Sequence, residues 1–199
     1  EADPGFQLTV YVTGMHLIKK NGDTIKEIKE KIKSIIKIPA VFNEIGNGKA
    51  VNFLSVFIPV LSKALQSNRP DMVIILGDRV EMLGTATVCN YLRIPVCHVH
   101  GGDKSGTVDE AVRHAITKLS HVHFVASKVA ERRVKKMGED VWRVHCVGAP
   151  ALDTILNRTL PSREELFKYL KIKENEKIIL LTMHSAEEDS IEPGKQMRQ

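Results

Sequence analysis

Short runs rich in Val and Ile, separated by longer stretches with helical punctuation, constrain this chain more than any other feature. The runs are QLTVYV (7–12), MVIIL (72–76), PVCHV (95–99), VHFV (122–125), RVHCV (143–147) and KIILLT (177–182). They are short and almost wholly apolar, as strands buried on both faces are. Between them the pattern predicts helices near 23–36, 50–67, 81–92, 108–118, 127–137, 150–157 and 162–170. Strands alternating with helices of this length imply an α/β fold, a parallel sheet with crossover helices on its faces.

The 199 residues suffice for one domain with a full core, or one domain and the start of another. Pro161-Ser162-Arg163-Glu164-Glu165 reads as a serine-capped helix start with acidic residues in its first turn, and Pro59 falls inside the second helix. Residues 157–175 turn polar and charged before the run at 177–182, and 184–199 are polar again. The expected boundary therefore follows residue 158, with 159–199 a linker and the beginning of a second domain.

Composition removes several function classes. Lysines account for much of the net charge of +5, but they cluster at 19–37 and 128–136, where helical periodicity makes them solvated faces. No aromatic residues interleave with them, so nucleic acid is not the expected partner. There is no apolar run of eighteen residues and no basic-then-apolar leader at Glu1-Ala2-Asp3-Pro4, so neither a membrane span nor a signal peptide is expected. Cys89, Cys97 and Cys146 lie in apolar surroundings without CxxC spacing, which reads as reduced thiols of a cytoplasmic protein.

In open parallel sheets ligands bind beyond the carboxyl ends of the strands. The residues at those positions here are Thr13-Gly14-Met15-His16, Gly77-Asp78-Arg79, His98-Val99-His100-Gly101-Gly102-Asp103, Gly148-Ala149-Pro150 and Met183-His184. Glycines let backbone N–H groups approach a ligand, and histidines and carboxylates can move protons. Asp78 reads equally as the N-cap of the helix after it or as a positioned base. His98 and His100 alternate on a strand end and so face opposite ways, and His114, His121 and His123 fall on other elements; no metal site is expected. At least one of His121 and His123 is expected to pack or cap. Gly101-Gly102-Asp103-Lys104-Ser105-Gly106 runs into a helix opening at Val108-Asp109-Glu110, an arrangement that suits a phosphate. On that helix Asp109, Glu110, Arg113 and His114 are spaced for surface ion pairing as well as for ligand binding.

GDR at 77–79, HVHGGD at 98–103, SGTVDE at 105–110 and RHAITKLSHVHF at 113–124 occur in this order, and the segment they span closely resembles the core of the hydrolysing UDP-N-acetylglucosamine 2-epimerases of sialic-acid and related pathways. The resemblance extends to VTGMHL (12–17), GDTIKEI (22–28), VGAPALDTIL (147–156) and LLTMHS (180–185), nearly the whole chain. Non-hydrolysing relatives carry GDT and HVEAGLRT at the matching places, which favours the hydrolysing branch.

The resemblance implies the first half of a glycosyltransferase-B-like fold with two Rossmann-like domains and the active site between them. Residues 1–158 would be the N-terminal domain without its first strand, and the chain would be truncated at both ends and inactive alone. The implied reaction expels UDP from UDP-N-acetylglucosamine through a glycal that is hydrated to N-acetylmannosamine, with no cofactor, in a homodimer or tetramer. By resemblance Asp78, Asp109, His98 and His184 are the catalytic candidates. His16, Arg79, His100, Gly101, Gly102, Asp103, Ser105, Glu110, Arg113 and His114 are the substrate-binding candidates. Two departures stand out: His100 replaces a frequent glutamate, and Ser185 follows His184 where proline is usual.

Overall fold

The computed structural model describes residues 3–19, 22, 24–40, 48–173, 176–182, 193–196 and 198. Their packing forms two compact units, Glu1–Gly148 and Ala149–Gln199. The division falls before the helix at 150–156, where the sequence pattern had placed it after residue 158.

In the first unit the strands are β1 (Val10–Val12), β2 (Ile35–Lys37), β3 (Val73–Leu76), β4 (Val96–Val99), β5 (Val122–Val125) and β6 (Val144–Cys146). Its helices are α1 (Ile25–Lys31), α2 (Lys49–Ser67), α3 (Val80–Tyr91), α4 (Val108–Leu119) and α5 (Lys128–Lys136). All strand pairs are parallel: β1 with β2, and β3, β4, β5 and β6 in that order in a four-stranded sheet. This is the expected Rossmann-like α/β plan, drawn as two sheets among the described residues. Residues of both sheets, including Ile36 and Ile75, join one apolar core with Ile38, with Phe53, Phe57, Leu61 and Leu65 of α2, and with Ala86 and Cys89 of α3.

That stripe of α2 explains a helix which by length and apolarity alone could cross a membrane. Its buried residues recur every four positions, and Asn52, Ser55 and Lys63 lie on the opposite side, as on a core helix of a globular unit. The helix runs through Pro59 unbroken, with the proline exposed. A second cluster, Val125, Ala130, Val134 and Val144, packs α5 on β5 and β6. β4 is buried along its whole length, whereas β3 exposes Ile74 (66%) and Leu76 (56%) on one side.

Two sequence expectations fail here. The helix expected over 23–36 ends at Lys31, and Ile35–Lys37 form β2 against β1. The Lys/Ile spacing continues past that point, but consecutive β-branched isoleucines before Pro39 favour strand. The strand expected at 177–182 is absent: its residues are exposed, Ile179 to 92%, with no ladder partner among the described residues. A lone strand has nothing to pair with. The second unit holds α6 (Pro150–Leu156), α7 (Arg163–Leu170) and the single turn α8 (Pro193–Gln196). α7 starts with the anticipated serine cap, which the structure completes as a capping box, Ser162 Oγ accepting from Glu165 N and Ser162 N donating to the Glu165 carboxylate.

Candidate functional site

The site is built where β3 and β4 end. Gly77 leaves β3 with φ 81°, its N–H still donating to Val99 O at 2.9 Å. This left-handed step turns the chain so that Asp78 stands clear of α3. The cap position of that helix is Arg79, with no side-chain cap. Asp78 therefore does not cap; its Oδ2 accepts from the Arg113 guanidinium on α4. Oδ1 has no protein partner among the described residues, and the Asp78 side chain keeps 23% of its surface in solvent. Arg113 turns inward to Asp78 instead of pairing with Asp109 or Glu110 on its own helix. Its second branch donates to Asp103 O at 2.9 Å, so one guanidinium spans the ends of both strands.

The loop after β4 is held by packing as much as by bonding. His100 takes φ 64°, its N–H donating to Phe124 O (2.9 Å) and its Nδ1 lying 3.8 Å from Asp103 Oδ2. A Cβ on Gly101 would come within 3.0 Å of both His98 Nδ1 and Thr117 Oγ1. Gly102, at φ 82°, lies against α5, and its carbonyl accepts from Arg133. These two glycines are required by close approach of side chains and backbone rather than by an open anion cradle.

The expected phosphate cradle is already filled. The N–H groups of Ser105 (3.1 Å) and Gly106 (2.9 Å) both donate to Glu110 Oε2. Glu110 is acidified chiefly by the bond from Gly106. Thus Ser105 and Glu110 serve each other in this structure.

His98 sits beneath the site with no exposed surface. Its Nε2 is 2.8 Å from Gly77 O and its Nδ1 3.2 Å from Thr117 Oγ1. Burial lowers its pKa to about 4, so the ring is neutral at pH 7. Thr117, itself fully buried, was not anticipated, because nothing local in the sequence links it to β4.

His16 lies on a 3-10 turn, Gly14–Leu17, exposed and bonded through Nδ1 to Thr24 Oγ1 at 2.7 Å. Glu81 was also missed: it is 5% exposed, takes two 3.3 Å contacts from Arg79, and its Oε1 would lie 2.8 Å from a Cβ on Gly14. That carboxylate brings the end of β1 beside the start of α3. Asp109 is exposed on α4. The half-buried His114 leaves Nδ1 without a partner among the described residues. His184 lies outside the described residues.

Both histidines at the start of β5 are structural. His121 Nδ1 accepts from Val96 N at 3.2 Å, and His123, fully buried, meets Glu139 Oε2 at 3.2 Å. Lys118 and Arg143 reach the same carboxylate.

The directly joined elements are thus Asp78, Arg113 and the His100–Asp103 loop, braced by His98 and Thr117. An ionised pair with one free carboxylate oxygen, next to a glycine loop, can exchange a proton with a bound ligand while a fixed guanidinium balances charge.

Comparison with known proteins gives the same direction. The family model described as UDP-N-acetylglucosamine 2-epimerase matches residues 1–199. A Legionella pneumophila protein named UDP-N,N'-diacetylbacillosamine 2-epimerase (hydrolyzing) is 41% identical over 187 residues, 92% of this chain and 50% of that protein. A Neisseria meningitidis protein named UDP-N-acetylglucosamine 2-epimerase is 40% identical over 170 residues, 85% of this chain and 44% of that protein. Among solved structures, UDP-GlcNAc 2-epimerase from Neisseria meningitidis bound to UDP-GlcNAc superposes with a TM-score of 0.65 at 20% identity, covering 85% of this chain and 45% of that one. The chain spans about half the length of the curated relatives it matches.

Proposed function

The chain belongs to the UDP-N-acetylglucosamine 2-epimerase family, and from that premise we propose that it is the Asp78-bearing half of a hydrolysing 2-epimerase acting on a UDP-linked 2-acetamido sugar. The observation that carries the reading is the Asp78–Arg113 pair at the carboxyl edge of β3 and β4, with Asp78 Oδ1 free of protein partners among the described residues. Support for the hydrolysing branch comes from the name of the Legionella relative and from GDR and HVHGGD.

In the proposed reaction a base removes the proton at C2 and the C1–O bond breaks, its electron pair leaving with UDP. The glycal then takes a proton at C2 from the opposite face and hydroxide at C1, giving UDP and a free sugar of inverted C2 configuration. C2–H is weakly acidic, so both the placement of the base and the charge around the departing diphosphate matter. Asp78 is the proposed proton-transfer group in this half, with Asp109 and His184 as the other candidates. Arg113 holds Asp78 in orientation and offsets its charge. His16, Arg79, His100, Asp103 and His114 form the proposed sugar-nucleotide surface, and residues 159–199 the approach to a second domain.

The test is incubation of the chain, alone and extended to the length of its relatives, with UDP-N-acetylglucosamine and with UDP-N,N'-diacetylbacillosamine. UDP and free sugar are followed together. Equal release of both, lost in Asp78→Asn, is the expected outcome, and the better substrate identifies the sugar. A UDP-linked epimer without free sugar moves the assignment to the non-hydrolysing branch, and no turnover of either sugar by the extended, folded protein removes it.

A further inference from the structure

Asp78 and Arg113 come from different elements, the end of β3 and α4, and nothing in their sequence separation brings them together. One buried side chain connects the two. A carbonyl can only accept, so the 2.8 Å contact between His98 Nε2 and Gly77 O puts the ring proton on Nε2. In a neutral ring Nδ1 then carries the lone pair, and the Thr117 hydroxyl, 3.2 Å away, donates to it. The hydroxyl has one proton, shared between Nδ1 and Arg113 O at 3.0 Å, one helical turn back on α4, so the tie from Thr117 to Arg113 is carried by the helix itself. Gly77 immediately precedes Asp78, and Thr117 sits one turn from Arg113 on α4, so the imidazole between Gly77 O and the Thr117 hydroxyl ties the strand end that bears Asp78 to the helix that bears Arg113. The Gly101 backbone packs against the same ring, leaving no room for a Cβ.

From this relay we propose that His98 is a positioning residue: as the Nε2–H tautomer it clamps the Gly77 carbonyl to Thr117 and thereby sets the geometry of the Asp78–Arg113 pair, without itself exchanging a proton with substrate. It has no exposed surface through which to reach a ligand, and both ring nitrogens are engaged. The inference rests on the functional reading of Asp78 given above. It gives two neighbouring histidines distinct tasks, His98 inside β4 as the brace and His100 in the loop that follows as part of the ligand-facing surface.

The clamp can be separated from mere packing because the two ring nitrogens have different amide mimics. A glutamine amide reaches about as far as Nε2 and keeps a donor for Gly77 O; an asparagine amide reaches only as far as Nδ1. In the chain extended to its relatives' length, His98→Gln and Thr117→Val, which each keep the Gly77 end of the clamp, should lower kcat about threefold, while His98→Asn and His98→Leu should lower it about tenfold or more with KM within about twofold, since a misplacement of ~1 Å costs up to ~100-fold. Thr117→Val is isosteric and serves if His98→Leu does not fold. Imidazole nitrogen NMR of the unextended chain should show one neutral tautomer protonated on Nε2 at pH 7.

Unchanged kcat in both His98→Leu and Thr117→Val overturns the proposal, as does His98→Gln behaving like His98→Leu, or a proton found on Nδ1. Asp78→Asn is the control. If it retains turnover, the reading of Asp78 fails, whereas the imidazole spectrum needs no substrate and still decides the clamp.

Discussion

Replacing Gly102 by alanine separates two reasons for a glycine, backbone conformation and lack of space. At φ 82° a Cβ would meet Val134 Cγ2 at 2.6 Å and the Ala130 carbonyl oxygen at 2.8 Å. Ala130 and Val134 are fully buried, and the oxygen belongs to helix α5, so neither neighbour can swing aside. The left-handed conformation alone costs about 1 kcal/mol for a residue with a Cβ. Forcing a methyl group into a packed contact adds about 1–3 kcal/mol. Gly106 provides the reference: φ 73°, with nothing within 4 Å of the point a methyl group would occupy. Gly106→Ala should therefore lose about 1 kcal/mol, and Gly102→Ala about 2–4 kcal/mol. At about 2–4 °C per kcal/mol for a unit of this size, the two differ by about 2–12 °C in Tm. Urea and thermal melts followed by far-UV circular dichroism give both values, and an unchanged urea slope would show that stability alone moved. Equal losses in the two variants would refute the argument that Gly102 is dictated by contact with α5.

Acid should weaken the fold through His98. Its pKa falls from 6.5 to about 4 on folding, so below pH 6.5 the unfolded chain binds the extra proton first. This contribution, about 3 kcal/mol in all, is intact above pH 6.5 and lost progressively down to pH 4; His98→Gln should flatten the urea midpoint over that window relative to the parent chain, and parallel curves would count against it. Thiol titration should find Cys89 unreactive, its pKa raised to about 11 by burial, and Cys97 slow, with the half-buried Cys146 reacting first. Rapid labelling of Cys89 in the folded chain would contradict its place in the core. Glu139→Gln leaves Lys118, Arg143 and buried His123 around an uncharged amide, and should cost about 3 kcal/mol in chemical denaturation; a loss below about 1 kcal/mol would mean that these cations find water instead.

The strands of the four-stranded sheet were legible because each is a compact apolar run, and those of β3 and β4 lead straight into glycine, histidine or carboxylate. The same pattern located the end of β3 and the loop after β4. What the sequence could not show depends on side chains meeting across elements. Asp78 was equally a cap, and only α4 swinging Arg113 toward it decides otherwise. Glu110 looked like a surface ion-pair member and proves to close its own loop. Glu81 and Thr117 carry no local signature, since their partners, Gly14 and His98, lie on other elements. β2 was hidden by lysine spacing that imitates a helix, and the apolar run at 177–182 misled because such a pattern reports burial without supplying the neighbour to be buried against.

β3 also governs how the chain behaves at high concentration. As one of the two outer strands of its sheet among the described residues it has a margin with no strand paired to it, and Ile74 and Leu76 give it an exposed apolar surface. Two such margins can zip together, because one strand satisfies another regardless of which molecule supplies it. The excess of positive charge, with a pI near 9.1, opposes that encounter at neutral pH and low salt. Raising ionic strength screens the repulsion and leaves the strand free to act as a template, so clarity of a concentrated sample should depend on salt before it depends on temperature.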